Sequence, residues 1–362
     1  MQYQEFGKTG VKVSRLGFGA MRLPATDPDF AVELVNEAIK LGINYLDTAL
    51  YYLDGQSETL VGRALKGQRD KVILSTKNPI EDASGANWRK RLETSLAKLD
   101  TDYIDFYHMW AINWDIYVNR IAAKHGPLEE ARKAKEEGLI RHISFSFHDK
   151  PENLIKLIDT GNFETMLVQY NLLDRSNEQA IAYAKQKGLG VAVMGPVGGG
   201  RLGAPSKEIS CLIPGGTKSS AEMALRFVLS NPNVDVALSG MSTREMLVEN
   251  MKIASLKKPL REEEKRLLEQ ILEEKKKLAE LYCTGCGYCM PCPRGVDIPA
   301  NFTSMNYLKV YGLKDTAKEG YQKLAAEKKA AASCIQCYQC EAKCPQKIKI
   351  VAQLEEVVKD LA

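Results

Sequence analysis

The sequence has no long apolar run and almost no net charge. None of its hydrophobic stretches approaches the roughly 18 residues that a membrane helix needs. Its first residues, MQYQEFGKTG, lack the basic and then apolar pattern of a signal peptide. Lys and Arg number 50 against 46 Asp and Glu, a net charge of +4, which does not favour nucleic acid or an anionic membrane as a partner. We therefore expect a soluble, cytoplasmic protein that has neither nucleic acid nor a membrane as its partner.

Cysteine is nearly missing from the first 282 of the 362 residues, where only Cys211 occurs. We expect Cys211 to be a small buried apolar residue. The other eight cysteines lie in residues 283–362. Because disulfides are rare in the cytosol, such a density indicates metal or redox chemistry. The change in composition also predicts a domain boundary.

A G-x-G-x-x-G motif is absent after the first predicted strand, where the chain reads GFGAM at 17–21. This disfavours a doubly wound dinucleotide-binding sheet. Short β-branched runs instead alternate with amphipathic stretches, and eight strands each followed by a helix over about 240 residues predict an α/β fold of the (β/α)8 TIM barrel type. The predicted strands are 14–19, 44–48, 72–76, 103–109, 140–145, 166–169, 190–194 and 234–238.

A highly charged segment follows the predicted barrel. Residues 261–281 predict one helix with a thin apolar stripe and with i, i+4 pairs of opposite charge, such as Glu262 with Arg266. We therefore expect a barrel domain at 1–260, a connecting helix at 261–282 and a cysteine domain at 283–362. The segment between the cysteine runs is rich in Ala, Lys and Glu, which predicts a small, mainly helical, ferredoxin-like domain.

The cysteines form two runs of four, each ending in Cys-Pro. Three thiolates at two-residue spacing bind one [4Fe–4S] cluster, and the fourth, before a proline, ligates the other cluster in two-cluster modules. Zinc is the alternative, but zinc sites usually use separated C-x2-C pairs. The last spacing of the first run has two residues rather than three, which leaves the crossing of ligands open. We predict two [4Fe–4S] clusters, one on Cys283, Cys286, Cys289 and Cys344, the other on Cys334, Cys337, Cys340 and Cys292.

Polar residues collect where the predicted strands end, at the face that carries the active sites of this fold. Asp47 ends the second strand shortly before Tyr51 and Tyr52, and Lys77 ends the third. A lysine beside a phenol favours the phenolate and lowers its pKa, while a carboxylate holds the lysine in place. The three residue types could therefore form a proton-donating tyrosine. Rim packing of either tyrosine is the alternative.

Several motifs occur in an order that resembles the aldo-keto reductase superfamily. They are FGKTGVKVSRLGFGAMRL, NYLDTALYY followed by SETLVGRAL, VILSTK, LETSLAKLDTDYIDFY, GLIRHISFS and VQYNLL. With CTGCGYCMPCP and CIQCYQCEAKCPQ, the chain is similar to the iron–sulfur-containing branch of that superfamily. The resemblance implies a TIM barrel that binds NADPH or NADH without a Rossmann unit and reduces carbonyls with an Asp, Tyr, Lys and His tetrad.

The resemblance also implies roles for individual residues. Asp47, Tyr52 and Lys77 fall on the first three tetrad positions, with Tyr52 as the acid. Ser146, Gln169 and Asn171 match the region that holds the nicotinamide carboxamide. LSGMSTREMLVENM resembles the segment that receives the adenosine end, where the candidates are Ser239, Gly240, Ser242, Arg244, Glu249 and Asn250.

The fourth tetrad position departs from the pattern, because Trp110 stands where the histidine is expected. Trp has one N–H donor and cannot transfer a proton near neutral pH, so it could orient a substrate only. His108, two residues earlier, points to the same side of the strand. We interpret it as a hydrogen-bonded core histidine, with a reach back into the site as the alternative. His148, after the fifth strand, is another replacement candidate.

A second departure follows the seventh strand, where many family members stack an aromatic ring on the nicotinamide. Met194 and Gly195 stand there, followed by three glycines at 198–200. Any stacking must therefore be weaker or come from another residue. The glycines allow close approach to a phosphate, or they form a mobile loop.

These features predict an iron–sulfur oxidoreductase of the aldo-keto reductase type that reduces or oxidises a small carbonyl or hydroxy compound. Its electrons would come from NAD(P)H, from the two clusters, or from both. Nicotinamides move two electrons as hydride whereas each cluster passes one, so a bridging flavin stays open. The alternative is an electron-transfer or docking subunit for ferredoxin or another redox protein, whose barrel no longer does hydride chemistry. Clusters that only stabilise an ordinary reductase are a further alternative.

Overall fold

The computed structural model describes residues 1–172, 174–203, 207–274, 283, 285–309 and 314–362. The chain divides into two compact units. The first comprises Met1–Tyr170, Ser176–Pro196 and Val228–Pro259, and the second Asn171–Arg175, Val197–Phe227 and Leu260–Ala362. The domain boundaries inferred from composition stay a prediction.

The first unit contains a closed barrel of eight parallel strands, β3 to β10, in which neighbours pair in chain order and β10 closes on β3. All eight predicted strands, and with them the predicted α/β TIM-barrel fold, are confirmed. The barrel strands are β3 (Leu16–Gly19), β4 (Tyr45–Asp47), β5 (Ile73–Pro79), β6 (Ile104–Ile112), β7 (Ile140–Phe147), β8 (Thr165–Gln169), β9 (Gly190–Met194) and β10 (Val236–Ser239).

An antiparallel hairpin of β1 (Tyr3–Glu5) and β2 (Lys12–Ser14) precedes the barrel and was not predicted. Phe6, between the two strands, is fully buried, and its ring centroid lies 5.5 Å from that of Tyr45 and 5.0 Å from that of Phe106. Because both partners lie near the beginnings of their strands, Phe6 closes the N-terminal end of the barrel. Gly190 makes this possible, since a Cβ there would lie 2.6 Å from the Phe6 ring.

Helices alternate with the barrel strands along the chain, and hydrogen-bonding caps mark where several begin. The side chains of Asp27, Ser84 and Thr243 accept hydrogen bonds from backbone N–H groups in the first turns of α1, α3 and α10. In the described part of the chain, no helix combines the length and apolar character needed to cross a membrane. The helices up to β10 and just after it are α1 (Pro28–Lys40), α2 (Ser57–Leu65), α3 (Gly85–Leu99), α4 (Trp114–Ile116), α5 (Pro127–Glu136), α6 (Pro151–Asp159), α7 (Glu178–Lys187), α8 (Lys207–Ser210), α9 (Ser220–Ser230) and α10 (Arg244–Ala254).

The second unit is mainly helical in its described residues. The predicted connecting helix is present as α11 over Glu262–Glu274, and its remaining residues, 275–281, lie outside the described part. The unit's core is formed by Phe302, Tyr321 and Leu354 from three helices, together with Cys289 and Cys344. Cys211, predicted to be buried, is exposed in the turn after α8, where Leu212 and Ile213 are buried instead. The C-terminal helices are α12 (Ile298–Lys309), α13 (Lys314–Ala326), α14 (Gln339–Lys343) and α15 (Ile350–Leu361).

Candidate active site and cysteine cavities

A buried ion pair occupies the C-terminal ends of β4 and β5. The Lys77 ammonium donates to Oδ1 of Asp47 at 2.5 Å and to the Thr48 carbonyl at 2.6 Å. Both charged side chains are almost fully buried. Burial opposes the charge on Lys77, but Asp47 and Tyr52 outweigh it and hold the Lys77 pKa above its usual value. The lysine is therefore an ammonium with fixed direction at neutral pH.

Tyr52 lies beside this pair, with Nζ of Lys77 4.7 Å from the centroid of its ring. Burial raises the pKa of Tyr52, the Lys77 charge lowers it in part, and the net direction is upward. The sequence-based expectation of a lowered phenol pKa is therefore wrong, because desolvation outweighs the lysine. Tyr52 consequently keeps its proton at neutral pH, which a proton donor requires.

Trp110, at the predicted histidine position, stands between two tyrosine rings. Its ring meets that of Tyr52 edge-on at 5.5 Å and lies 6.0 Å from that of Tyr51. Tyr51 is 52% exposed and donates through its hydroxyl to Glu81 at 2.8 Å. The three rings therefore form an aromatic cluster beside the Lys77–Asp47 pair, in which Trp110 cannot exchange a proton.

His108 is fully buried on β6. Hydrogen bonds link it to the Lys77–Asp47 pair through Ser75, a residue that sequence reasoning did not single out. Nε2 of His108 lies 2.8 Å from Oγ of Ser75, and this hydroxyl donates to Oδ2 of Asp47 at 2.9 Å. Burial and then the Lys77 charge lower the His108 pKa to about 3. His108 is thus a neutral, hydrogen-bonded histidine. The sequence contains one signal for Ser75. Side chains alternate between the two faces of β5, so residues 75 and 77 lie on the same face.

His148, the other candidate replacement, follows β7 and donates through its backbone N–H to the Ile112 carbonyl at 3.2 Å. Burial and then the charge of Lys77 lower the His148 pKa to about 4. The ring is therefore uncharged at neutral pH and lies within the electrostatic reach of Lys77. A neutral imidazole can still hydrogen-bond a substrate oxygen.

The candidate nicotinamide residues lie at or just after the ends of two adjacent strands, β7 and β8. Oγ of Ser146 accepts a hydrogen bond from the Ala111 N–H at 2.7 Å, which leaves its own proton to donate. Gln169 ends β8, and Asn171 is buried two residues later. Gly195 has a positive φ of 64°, and a Cβ there would lie 2.4 Å from Nε2 of Gln169. No side chain, aromatic or otherwise, fits at 195 without moving that amide.

The candidate adenosine residues surround the end of β10. Nδ2 of Asn250 on α10 donates to Oγ of Ser239 at 3.1 Å, and both side chains are buried. Gly240 comes next, and a Cβ there would lie 2.8 Å from Cγ of Arg22. Arg22 is exposed, follows β3 and was missed by sequence reasoning, because nothing in its local sequence links it to a residue more than 200 positions later.

Arg244, at the start of α10, forms ion pairs with two carboxylates of α1. It donates to Glu33 at 2.7 Å and to Glu37 at 3.0 Å, and its guanidinium carbon lies 5.0 Å from the centroid of the Phe30 ring. Ser242 contacts Sδ of Met246 at 3.6 Å, and Glu249 is exposed. The predicted cationic residue is present, but its charge is already balanced.

Two cavities in the second unit gather the clustered cysteines. The first is lined by Cys283, Cys286, Cys289 and Cys344, with Phe302 and Ile348 among its apolar walls. Burial and the neighbouring sulfurs of Cys283, Cys286 and Cys344 raise the Cys289 pKa to about 12. Four thiols this close become thiolates only when a positive centre lies among them.

The second cavity is lined by Cys292, Cys334, Cys337 and Cys340, and Cys289 reaches its wall as well. The Gln336 N–H donates to Sγ of Cys334 at 3.4 Å. Cys337 is exposed, and its neighbours Ile335 and Tyr338 are 58% and 56% exposed. The cysteines that line this cavity are therefore more exposed than those of the first, where Cys289 and Cys344 are buried.

The cysteines fit a cluster better than a single ion. Among the described residues, no three His, Cys, Asp or Glu side chains converge closely enough to hold one metal ion. Zinc requires sulfurs at about 2.3 Å from a single point. Sulfurs spread around a cavity match a larger inorganic group, with four thiolates for each [4Fe–4S] cluster.

A family model described as "Aldo/keto reductase family" matches residues 15–273, more than half of the chain. The chain belongs to the aldo/keto reductase family. A second model, described as "4Fe-4S dicluster domain", matches residues 282–348. The protein is therefore an aldo/keto reductase with a C-terminal iron–sulfur domain, and an oxidoreductase by family.

Curated relatives cover the reductase part of the chain. L-galactose dehydrogenase of Arabidopsis thaliana is 30% identical over 311 residues, which cover 77% of this chain and 96% of the relative. The uncharacterized oxidoreductase YqkF of Bacillus subtilis is 29% identical over 302 residues, which cover 74% of this chain and 95% of the relative. Both are similar to this aldo/keto reductase over nearly their whole length.

Solved structures agree with the fold. The holo form of aldo-keto reductase AKR11C1 from Bacillus halodurans has a TM-score of 0.66 at 30% identity and covers 75% of this chain and 96% of its own. An aldo/keto reductase from Klebsiella pneumoniae was solved in complex with NADP and acetate. It has a TM-score of 0.64 at 26% identity and covers 75% of this chain and 96% of its own.

Proposed function

We propose that this aldo/keto reductase interconverts a small carbonyl compound and its alcohol with a nicotinamide coenzyme, which supplies or accepts both electrons as hydride. We further propose that the C-terminal domain holds two [4Fe–4S] clusters that exchange single electrons with a partner redox protein. The observation that carries the proposal is the contact of Tyr52 with the buried Lys77–Asp47 pair. This arrangement keeps a phenol protonated next to a fixed cation. Such a phenol can donate a proton to a carbonyl oxygen in the same step in which a hydride adds to its carbon.

In this proposal, Oη of Tyr52 donates the proton, and Lys77 stabilises the negative charge that develops on the tyrosine oxygen. Asp47 fixes the direction of the ammonium. A bound nicotinamide would supply or accept the hydride. For oxidation of an alcohol the proton moves in the opposite direction, from the substrate to Tyr52.

The residues that follow the strand ends are suited to a nicotinamide. The hydroxyl of Ser146 retains a proton to donate, and the absence of a side chain at Gly195 lets the Gln169 amide lie directly against the backbone there. Ser146 and Gln169 would bind the carboxamide, and Ser239, Gly240, Ser242, Glu249 and Asn250 would surround the adenosine end. The Klebsiella pneumoniae relative is described with NADP, which supports a nicotinamide here.

Trp110 and His148 would orient the substrate rather than transfer its proton. The Trp110 N–H is a single donor beside Tyr52, and the lowered pKa of His148 leaves its imidazole neutral. With no acid–base histidine at position 110, Tyr52 would carry the proton transfer alone.

We propose that Cys283, Cys286, Cys289 and Cys344 hold one cluster and that Cys292, Cys334, Cys337 and Cys340 hold the other, in agreement with the two cavities they line. Such clusters supply single electrons at a potential set by their surroundings. A cytoplasmic location and a redox protein such as ferredoxin as electron partner are part of the proposal, and a flavin is not needed for the hydride step.

A second function is favoured by Trp110 and Gly195, since one replaces the acid–base histidine and the other removes the stacking ring. In that case the chain is an electron-transfer or docking subunit, and the barrel does no hydride chemistry. The two functions differ in whether the barrel binds coenzyme.

The deciding experiment is a fluorescence titration of anaerobically purified, iron-replete protein with NADH and with NADPH. Saturable binding is expected, and reduction of 4-nitrobenzaldehyde should fall by at least 100-fold in Tyr52→Phe. Tyr51→Phe is the matched control, because Tyr51 contacts Trp110 but not Lys77, and it should leave the rate within about threefold. Failure to bind either coenzyme at millimolar concentration would overturn the proposal in favour of the docking subunit.

A further inference from the structure

Four side chains form one continuous hydrogen-bond chain through the barrel interior. It runs from Lys77 to Oδ1 of Asp47, then from Oδ2 of Asp47 to Oγ of Ser75 at 2.9 Å, and from Oγ of Ser75 to Nε2 of His108 at 2.8 Å. Ser75 and His108 are 0% exposed, Lys77 1% and Asp47 4%. The chain therefore lies out of contact with bulk water from end to end.

The chemistry of the groups fixes the direction of every hydrogen bond. Lys77 only donates and a carboxylate only accepts, so the single hydroxyl proton of Ser75 points to Asp47. The oxygen of Ser75 must then accept from His108. In this arrangement His108 carries its proton on Nε2. Its strongly lowered pKa agrees with a neutral ring and does not itself select the tautomer.

We infer that His108 and Ser75 are positioning residues that hold the Asp47 carboxylate, and through it Lys77, in the orientation that serves Tyr52. This inference deepens the proposed carbonyl chemistry and rests on it. Ser75 supplies the donor to Oδ2, and no other described side chain donates to that oxygen. His108 prevents the hydroxyl from turning away, because Oγ must face its Nε2–H.

A nearby serine shows that a buried hydroxyl in this barrel does not by itself create such a link. Ser144 lies on β7, in register with His108, and is also 0% exposed. Its hydroxyl is 2.6 Å from Oγ1 of Thr165 and takes no part in the Asp47 network. Ser144 is therefore a matched control for Ser75.

Loss of the Ser75–Asp47 hydrogen bond should shift the pKa of Asp47 in one definite direction. A hydrogen bond to a carboxylate favours its charged form, so removal of the Ser75 donor makes Asp47 bind a proton at a higher pH. Protonated Asp47 no longer orients Lys77. As the pH falls, activity should then be lost at a higher pH than in the wild type. The loss of activity at alkaline pH should not change, because it depends on Tyr52 itself.

The first test uses the wild-type protein and needs no turnover. The chain has four histidines, so each can be assigned in a 15N-histidine NMR spectrum of the iron-loaded protein. His108 should show the neutral form protonated at Nε2 and no titration between pH 5.5 and 8. A His108 protonated at Nδ1, or one that titrates in this range, would overturn the inference.

The second test is the pH profile of 4-nitrobenzaldehyde reduction. In Ser75→Ala and His108→Leu the acidic limb should move upward by about one pH unit, whereas Ser75→Thr and His108→Gln, which keep a donor, should restore it. Ser144→Ala should leave the limb in place. An unmoved limb in both Ser75→Ala and His108→Leu would overturn the inference. Absence of any reduction, with the Nε2–H form still observed, would count against the proposed function and not against the hydrogen-bond chain.

Discussion

Arg244 of α10 and Glu33 of α1 form an ion pair of 2.7 Å, and Glu37 adds a second carboxylate at 3.0 Å. The residue that the family resemblance assigns to the adenosine end is therefore an exposed cation that is already paired with two carboxylates. A 2′-phosphate would have to displace the two carboxylates or lie next to them. A 2′-hydroxyl carries no such penalty, and hydroxyls pair readily with carboxylates.

We expect this protein to bind NADH more tightly than NADPH. The double variant Glu33→Gln, Glu37→Gln releases Arg244 and removes two negative charges, so its affinity for NADPH should rise by about tenfold while that for NADH changes little. Fluorescence titration with both coenzymes measures the two affinities separately.

Glu152→Gln on α6 serves as the control for this comparison, because it removes an exposed carboxylate far along the chain from Arg244. It should leave the ratio of the two affinities unchanged. Equal gains for NADH and NADPH in the double variant would mean that Glu33 and Glu37 act through general charge rather than through the Arg244 site.

Gly195 should be intolerant of any side chain. Gly195→Ala forces alanine into a positive φ and drives its Cβ against the Gln169 amide, so both stability and coenzyme affinity should fall. Gly10 has a similar φ of 74° with nothing within 4 Å of its would-be Cβ, so Gly10→Ala isolates the backbone strain.

In urea unfolding, Gly10→Ala should lose about 1 kcal/mol, and Gly195→Ala more than that. Coenzyme affinity should fall only in Gly195→Ala. Equal losses in both variants, with coenzyme binding intact, would show that Gln169 moves aside without cost.

The fold was predictable because the signals of its elements are local. Each barrel strand carries its own β-branched run, and β3 to β10 were found at the predicted places. The hairpin of β1 and β2 was missed, since YQE and KVS are too short and too polar to differ from a loop. The pairing of these strands depends on the burial of Phe6 beneath the barrel, which no local pattern contains.

The candidate site was predictable only where a residue type marks its own chemistry. Asp47, Lys77 and Tyr52 fit that description. Ser75 does not, because its role depends on the register of β4 against β5. The direction of the Tyr52 pKa was also out of reach, since burial decides it and burial is a tertiary property.

Acid should destabilise the fold through His108. Its pKa in the folded protein is about 3, against about 6.5 when unfolded, so between these values the unfolded chain binds the extra proton. The contribution of His108 to the free energy of unfolding is therefore fully present above about pH 6.5 and is lost as the pH falls. The loss between pH 6.5 and 5 should reach about 2 kcal/mol.

The measurement is the free energy of unfolding in urea at pH 7 and pH 5, under anaerobic conditions. The difference between the two pH values should shrink by about 2 kcal/mol in His108→Gln and stay the same in His125→Gln, which replaces an exposed histidine. A full-size acid loss in His108→Gln would mean that other groups dominate.

The pairing of cysteines into ligand sets can be decided with double variants. If the cavities define the sets, Cys283 and Cys344 belong to one cluster, so their joint replacement by Ala should leave the other cluster and about four irons per chain. Cys283 and Cys292 belong to different clusters, so their joint replacement should remove both. Iron analysis and the EPR signal of the reduced protein report the outcome. If each run instead bound its own cluster, the two results would be exchanged, because Cys283 and Cys292 would then share a cluster.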